Sequence, residues 1–250
     1  MTRTEHIPTL HFLGVRVHNV GSAEALGILD AFIQAPVPRQ VVTVNPEFVV
    51  AARRLPEFRD VLARADLSLP DGVGLLLAAR IQGKPLKERV TGVDTVARVA
   101  AMAARKGYSL FLLGAAPGVA EEAARRLTAA NPGLRVVGTW AGSPAPEEES
   151  DIVARVAAAN PDVLFVAYGA PGQDLWIARN LSRLNVPVAM GIGGAFDFIA
   201  GRAKRAPAWM QRLGLEWLHR LLHQPWRWRR MLALPHFLAL VIAERIAGRE

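Results

Sequence analysis

Ser109-Leu-Phe-Leu-Leu-Gly-Ala-Ala-Pro-Gly118 is the stretch that decides the fold. Residues 109–113 make a short apolar run without polar alternation, the pattern of a strand covered on both faces. Gly114 ends the run, Pro117 suits the first turn of a helix, and residues 117–130 continue with Ala, Leu and Arg at helical spacing. Strand, glycine turn and helix in that order are the repeating unit of a parallel sheet.

The unit recurs on both sides. Val41–Asn45, Leu67–Pro70, Arg135–Gly138, Val163–Tyr168 and Val188–Ile192 read as further strands. Residues 47–64, 72–82, 94–106, 147–159 and 173–184 read as the helices between them. The expectation is an α/β, Rossmann-like fold: a mostly parallel sheet with helices on both faces. Beyond about residue 204 the alternation stops, and 207–222 and 226–248 read as helices broken near Pro225 and Pro235. The division expected is therefore 1–204 as an α/β core and 205–250 as a basic, amphipathic helical appendage.

Composition narrows the function classes. The chain has 250 residues, 51% of them hydrophobic, enough for one full core. It has no cysteine, which excludes a disulfide scaffold, a thiolate nucleophile and a cysteine-ligated metal. No apolar signal region follows Met1, and the Phe237–Ala243 run is far short of the ~20 residues that span a bilayer. The formal charge is +8, yet residues 201–250 hold ten Lys or Arg against three acids, so nearly all the excess lies in the tail. A basic tail calls for an anionic partner. Trp226 and Trp228 interleave with Arg227, Arg229 and Arg230, and Met231, Leu232, Leu234 and Phe237 follow. Indole rings beside cations and an apolar stripe suit an anionic membrane surface. The competing reading is a helix packed on the core with a solvated basic face. No nucleic-acid motif is present, and none is expected as partner.

In open parallel sheets ligands bind beyond the carboxyl ends of the strands. That rule selects Thr43 and Asn45, Asp71, Gly114, Gly138, Gly169–Asp174 and Gly191–Asp197. Thr43 and Asn45 alternate along one strand and so share a face. Asp71, in a Pro-Asp-Gly turn, either caps the helix that starts near Val73 or sets a carboxylate on the cleft rim; one position permits both. The glycine turns at Gly114–Gly118 and Gly191–Gly194 either admit a phosphate to backbone amides or are simply tight turns. The six histidines have no evident nucleophile partner, and neither a metal-binding cluster nor an Asp-x-Asp pair is present. No metal and no cofactor are therefore expected, and arginines would have to neutralise any diphosphate.

Taken in order, Thr43-Val-Asn-Pro-Glu47, Ala65-Asp-Leu-Ser-Leu-Pro-Asp-Gly72, Glu88-Arg-Val-Thr-Gly92, Phe111-Leu-Leu-Gly114, Gly169-Ala-Pro-Gly-Gln-Asp174, Gly191-Ile-Gly-Gly-Ala-Phe-Asp197, Arg205-Ala-Pro207 and Gly214-Leu-Glu-Trp-Leu-His-Arg220 resemble the blocks of the WecG/TagA/CpsF glycosyltransferases. The resemblance covers roughly residues 40–235. It implies inverting transfer from a UDP-sugar donor, N-acetylmannosamine or its uronic acid, to an undecaprenyl-diphosphate-linked N-acetylglucosamine, in the synthesis of teichoic-acid linkage units or other envelope polysaccharides. It implies Asp71 as general base, with Thr43, Asn45, Arg89 and Gln173 lining the reaction pocket. Gly114, Gly169, Gly193, Asp197, Arg220, Arg227 and Arg230 would serve the donor. The tail would both touch the membrane and clamp the diphosphate, which places the protein in the cytoplasm, peripheral on the inner membrane face. A homo-oligomer is a further expectation, since a neighbouring subunit could cover the same apolar rim. Where the family pattern has Pro-Lys-Gln-Glu this chain has Pro171-Gly-Gln-Asp174. The rival classes are a nucleotide-binding oxidoreductase, which lacks its glycine fingerprint here, and a basic adaptor without catalysis, which leaves the rim residues unexplained.

Overall fold

The computed structural model describes residues 6–35, 37–223, 225 and 228–247; the side chains of Ala208, Arg212, Arg220 and Arg229 fall outside that description. The chain opens with an antiparallel hairpin, β1 (Thr9–Phe12) and β2 (Val15–His18), and a helix α1 (Ser22–Ile33). Then follow β3 (Arg39–Val44), α2 (Pro46–Ala52), α3 (Pro56–Arg64), β4 (Leu67–Pro70), α4 (Val73–Ile81) and α5 (Gly92–Lys106). The second half runs β5 (Ser109–Gly114), α6 (Val119–Ala130), β6 (Arg135–Trp140), α7 (Pro146–Ala159), β7 (Val163–Ala167), α8 (Gly172–Leu184), β8 (Val188–Gly191) and α9 (Ala195–Ile199). The tail holds α10 (Ala208–Arg212), α11 (Glu216–His223), α12 (Trp228–Met231) and α13 (Ala233–Ala247).

All six strands expected from the apolar runs form one sheet, ordered β4-β3-β8-β7-β5-β6, with every pairing parallel. Alternation within each run explains why the runs are apolar throughout. Val163 and Phe165 face a core shared with α1, α5, α6 and α9. Leu164 and Val166, one residue out of step, face α7 and α8. Val41 likewise points to the first core, while Val42 and Val44 meet α2, α3, α4 and the hairpin. The inner strands thus bury both faces, the edge strand β6 stays partly exposed, and the connections place helices on each side.

Three differences from the sequence reading concern the helices. The stretch 47–64 is two helices, because Pro56 excludes the helical conformation at Leu55, which is extended at φ −122°, ψ 93°. The stretch 207–222 is also two, separated at Leu213–Leu215. Pro235 does not break its helix; it sits in the first turn of α13, where a missing N–H is no loss. The tail does not hang free of the body. α13 packs on α2 and α4, and Phe237 and Val241 are fully buried in the core under the hairpin. The Phe237 ring meets Phe12 edge-on at 6.1 Å. Each such side chain contributes roughly 1.5–3 kcal/mol by burial.

Candidate active site

A parallel sheet brings all its strand ends to one edge, and here that edge opens into a cavity of about 470 Å³. Its walls come from the ends of β3, β4, β7 and β8, the loop before α5, the start of α9 and the tail. The size is that of an ordinary small-molecule site.

From β3, Thr43 is buried and its hydroxyl donates to the Gly191 carbonyl at 3.2 Å, tying two strand ends together. Asn45 accepts from the Phe48 N–H at 3.1 Å, so its carboxamide oxygen caps α2. From β4, the Asp71 N–H donates to the Val44 carbonyl at 2.7 Å, which fixes the turn. The cap position of α4 belongs to Gly72, with no side-chain cap bond. Asp71 is therefore not that helix's cap, and its half-buried side chain lines the cavity.

Arg89 lies in a loop held at both sides. Glu88 accepts from the Ser22 N–H and hydroxyl, both at 2.7 Å, and the Val90 N–H donates to the Pro70 carbonyl at 2.8 Å. The Arg89 guanidinium is ion-paired with Glu216, in the first turn of α11. The second Glu216 oxygen faces Arg205 at 3.4 Å, and Arg205 grips Asp94 with two bonds of 2.6 and 2.8 Å. Those bonds, with help from Thr91, hold the Asp94 carboxyl below the usual carboxylate range. Four alternating charges thus stitch the tail to the pocket wall.

Gln173 enters from the first turn of α8, almost wholly buried, and accepts from the Gly193 N–H at 2.9 Å. Gly169, Gly193 and Asp197 line the cavity as expected residues of the strand-end loops. Gly114 does not: a Cβ there would lie 2.8 Å from the Ala167 carbonyl carbon, so its glycine serves the close approach of β5 to β7. Arg230 reaches the cavity from α12 and donates to Glu47 at 2.6 and 3.1 Å. Arg227 and the Arg220 side chain lie outside the described residues. Among the described residues no group of three or more His, Asp or Glu could hold a metal ion, and no helix is long and apolar enough to cross a membrane.

The site also contains Glu47, Lys204, Arg205 and Glu216, to which the sequence reading gave no role. Glu47, Arg205 and Glu216 stand inside the blocks quoted above. A pattern that selects cations able to meet phosphate passes over the acids that hold such cations, and Glu47 and Glu216 are those acids. The tail exposes Trp209, Leu213, Leu222 and Leu232, and Trp217 at the cavity wall.

Comparison with known proteins finds a family and named relatives. Residues 10–250 match the model of the glycosyl transferase WecG/TagA/CpsF family. The chain is 37% identical over 210 residues to the N-acetylglucosaminyldiphosphoundecaprenol N-acetyl-beta-D-mannosaminyltransferase of Bacillus spizizenii, covering 84% of this chain and 81% of that protein. It is 34% identical over 213 residues to the Bacillus subtilis protein of the same name, covering 85% and 82%.

Proposed function

Because the chain belongs to the WecG/TagA/CpsF family of glycosyl transferases, we propose that it moves N-acetylmannosamine from a UDP-linked donor to N-acetylglucosamine on undecaprenyl diphosphate, working at the surface of a membrane. The names of the two Bacillus relatives support the sugar and the acceptor. The observation that carries the reading is the convergence on one cavity of a carboxylate, Asp71, with buried Thr43 and Gln173 and with arginines from both the body and the tail.

In this reading the acceptor hydroxyl attacks the anomeric carbon as the bond to the UDP oxygen breaks. Asp71 takes the hydroxyl proton, and UDP leaves with the electron pair of the broken bond. General-base help of this kind is typically worth roughly 10²–10⁴-fold. Charge growing on the diphosphate needs cations. The described charged side chains on the cavity balance: Arg89, Lys204, Arg205 and Arg230 against Glu47, Asp71, Asp197 and Glu216. A diphosphate therefore competes with Glu216 for Arg89 and with Glu47 for Arg230, and Arg220 and Arg227 of the same tail add further positive charge. No divalent metal takes part in this scheme.

Membrane docking follows from the same tail. Its net positive charge and its exposed Trp209, Leu213 and Leu222 suit the headgroup layer of an anionic bilayer. The protein would then meet its lipid acceptor from the cytoplasmic side.

The test is UDP release from UDP-N-acetylmannosamine or its uronic acid, with and without N-acetylglucosamine on a short lipid diphosphate. Release that requires both substrates and persists in EDTA is expected. No acceptor-dependent release from either donor would overturn the activity, and loss in EDTA restored by a divalent ion would overturn the metal-free scheme.

A further inference from the structure

Beneath the cavity floor lies a carboxyl group to which the scheme above assigns no task. Asp174 follows Gln173 in the first turn of α8 and is completely buried. Its backbone carbonyl accepts from the buried Gln40 side chain at 2.9 Å, which pins this turn of α8 to β3. Its carboxyl points toward the end of β8. A Cβ on Gly191 would meet Asp174 Oδ1 at 2.5 Å and Gln173 Nε2 at 2.7 Å. Carboxyl and carboxamide therefore crowd over one α-carbon, and only glycine leaves them room.

The surroundings decide the state of this acid. Among the described residues no cation bonds to it, and neither carboxyl oxygen has a partner at hydrogen-bonding geometry. An isolated carboxylate in such a place is costly, and the group takes a proton instead. Burial pushes the Asp174 carboxyl up to about 7, with the nearby Gln173 amide offsetting part of the rise. The neutral acid is a small polar wedge, and what it wedges belongs to the site. Gln173 holds the Gly193 N–H, and Thr43 holds the Gly191 carbonyl, so the turn from β8 into α9 is clamped from two sides directly above Asp174.

We propose that Asp174 is a positioning residue for sugar transfer: packed against Gly191, its carboxyl fixes the Gln173 carboxamide and the Gly191–Gly193 turn at the reaction pocket. This rests on the reading of Gln173 as a pocket residue. It goes beyond that reading by giving the next residue in the chain a distinct, indirect role, and by specifying that its carboxyl acts without charge.

Three variants test it, each checked for folding by its thermal midpoint. Asp174→Ala frees the carboxamide and is expected to lower kcat about 10–100-fold with little change in acceptor KM, the signature of a reacting geometry lost rather than binding lost. Asp174→Asn keeps the shape of the neutral acid and is expected to restore most of that kcat. Gln173→Ala is the reference. Parental kcat in Asp174→Ala alone overturns the positioning role and leaves Gln173 in the pocket. Parental kcat in Gln173→Ala removes Gln173 from the pocket and this role with it. Asp174→Asn as slow as Asp174→Ala shows that the charge is needed and overturns the neutral wedge. If the alanine variant does not fold, an infrared difference spectrum of parent minus Asp174→Asn between the ordinary carboxylate range and pH 7 decides the question: a protonated-carboxyl band is expected, and a carboxylate band alone overturns the assignment.

Discussion

Glu216, at the start of a tail helix, is ion-paired with Arg89 on the wall of the cavity. Both groups are largely shielded from water, and Arg205 and Asp94 extend the pair into a chain of alternating charge. The contact does two things at once. It fastens the tail across the site, and it occupies a guanidinium that an anionic donor would use. Glu216→Gln therefore loosens the tail while releasing Arg89. The prediction is non-additivity: Glu216→Gln and Arg89→Gln each lower kcat/KM, and the double variant is no worse than the weaker single. A coupling of about 1 kcal/mol or more is expected for groups sharing one network. Independent, additive losses in the double-mutant cycle would show that the two residues serve separate purposes.

Asp71 stands where β4 ends, on a turn fixed by its own backbone bond to Val44, and the neighbouring helix takes Gly72 as its cap. Asparagine keeps the size of the side chain and one of its two oxygens, so the change should cost chemistry more than structure. Asp71→Asn is expected to keep the thermal midpoint and the affinity for UDP while kcat falls roughly 10²–10⁴-fold. Calorimetric titration with UDP beside a transfer assay separates the two, and near-parental turnover would remove Asp71 as base.

Trp209 and Leu213 are exposed at 58% and 66%, on a tail that carries almost all the excess positive charge. Serine at both positions takes away apolar contact and leaves the charge in place. Co-sedimentation with vesicles containing anionic phospholipid should fall for this double variant. The binding that remains should be the more sensitive to salt, since only screened attraction is left. Transfer to a full-length lipid acceptor should fall further than transfer to a short-chain one. Equal vesicle binding by parent and variant would exclude this surface as the contact.

Phe237 shows that the tail is fastened from beneath as well. Its ring is fully buried among hairpin and helix residues, against Phe12. Phe237→Ala is expected to destabilise the protein by about 3–5 kcal/mol, the usual range for emptying such a site. Urea unfolding measures it directly. A loss below about 1 kcal/mol would mean that α13 is not held where its burial places it.

What was legible in the sequence follows from how strongly each element announces itself. Most of the six sheet strands are short, largely apolar runs, and a glycine or turn residue marks the end of most of them, so Val163–Ala167 and its counterparts stood out. The hairpin did not. Thr9–Phe12 and Val15–His18 are only four residues each, and their turn is Leu13-Gly14, with Leu13 at φ 50°. Asn or Asp in that place would have been the usual signal for a two-residue turn, and leucine hides it. Arg89, in the loop before α5, came only from the family resemblance, whereas the cavity residues Thr43, Asn45, Asp71 and Gln173 were readable because strand ends converge by topology. The acids that hold their cations were not. Glu216 lies 127 positions from Arg89, and Glu47 lies 183 from Arg230. Nothing local distinguishes such a glutamate from one on a solvated face.

His18 offers a last prediction, on stability. It is 2% exposed, and its Nδ1 accepts from the Ser68 N–H at 2.9 Å, joining the hairpin to the edge strand β4. That bond needs an unprotonated nitrogen. Burial first, then the charge of Arg16, lowers its pKa from 6.5 to about 4. Between those values the unfolded chain binds a proton that the folded chain refuses, so stability from this group is complete above pH 6.5 and drains as pH falls toward 4. Linkage puts the loss at about 2 kcal/mol by about pH 5. Asp174 works in the opposite sense: its folded pKa is raised, so it costs stability as pH rises through the carboxylate range toward 7. The parent's own pH curve therefore blends the two. Subtraction isolates the histidine. His18→Asn keeps an acceptor near the position of Nδ1 but cannot titrate, so its urea stability relative to the parent should improve by about 2 kcal/mol between about pH 7 and pH 5. A pH-independent difference between the two proteins would show that His18 is free to take its proton in the folded state.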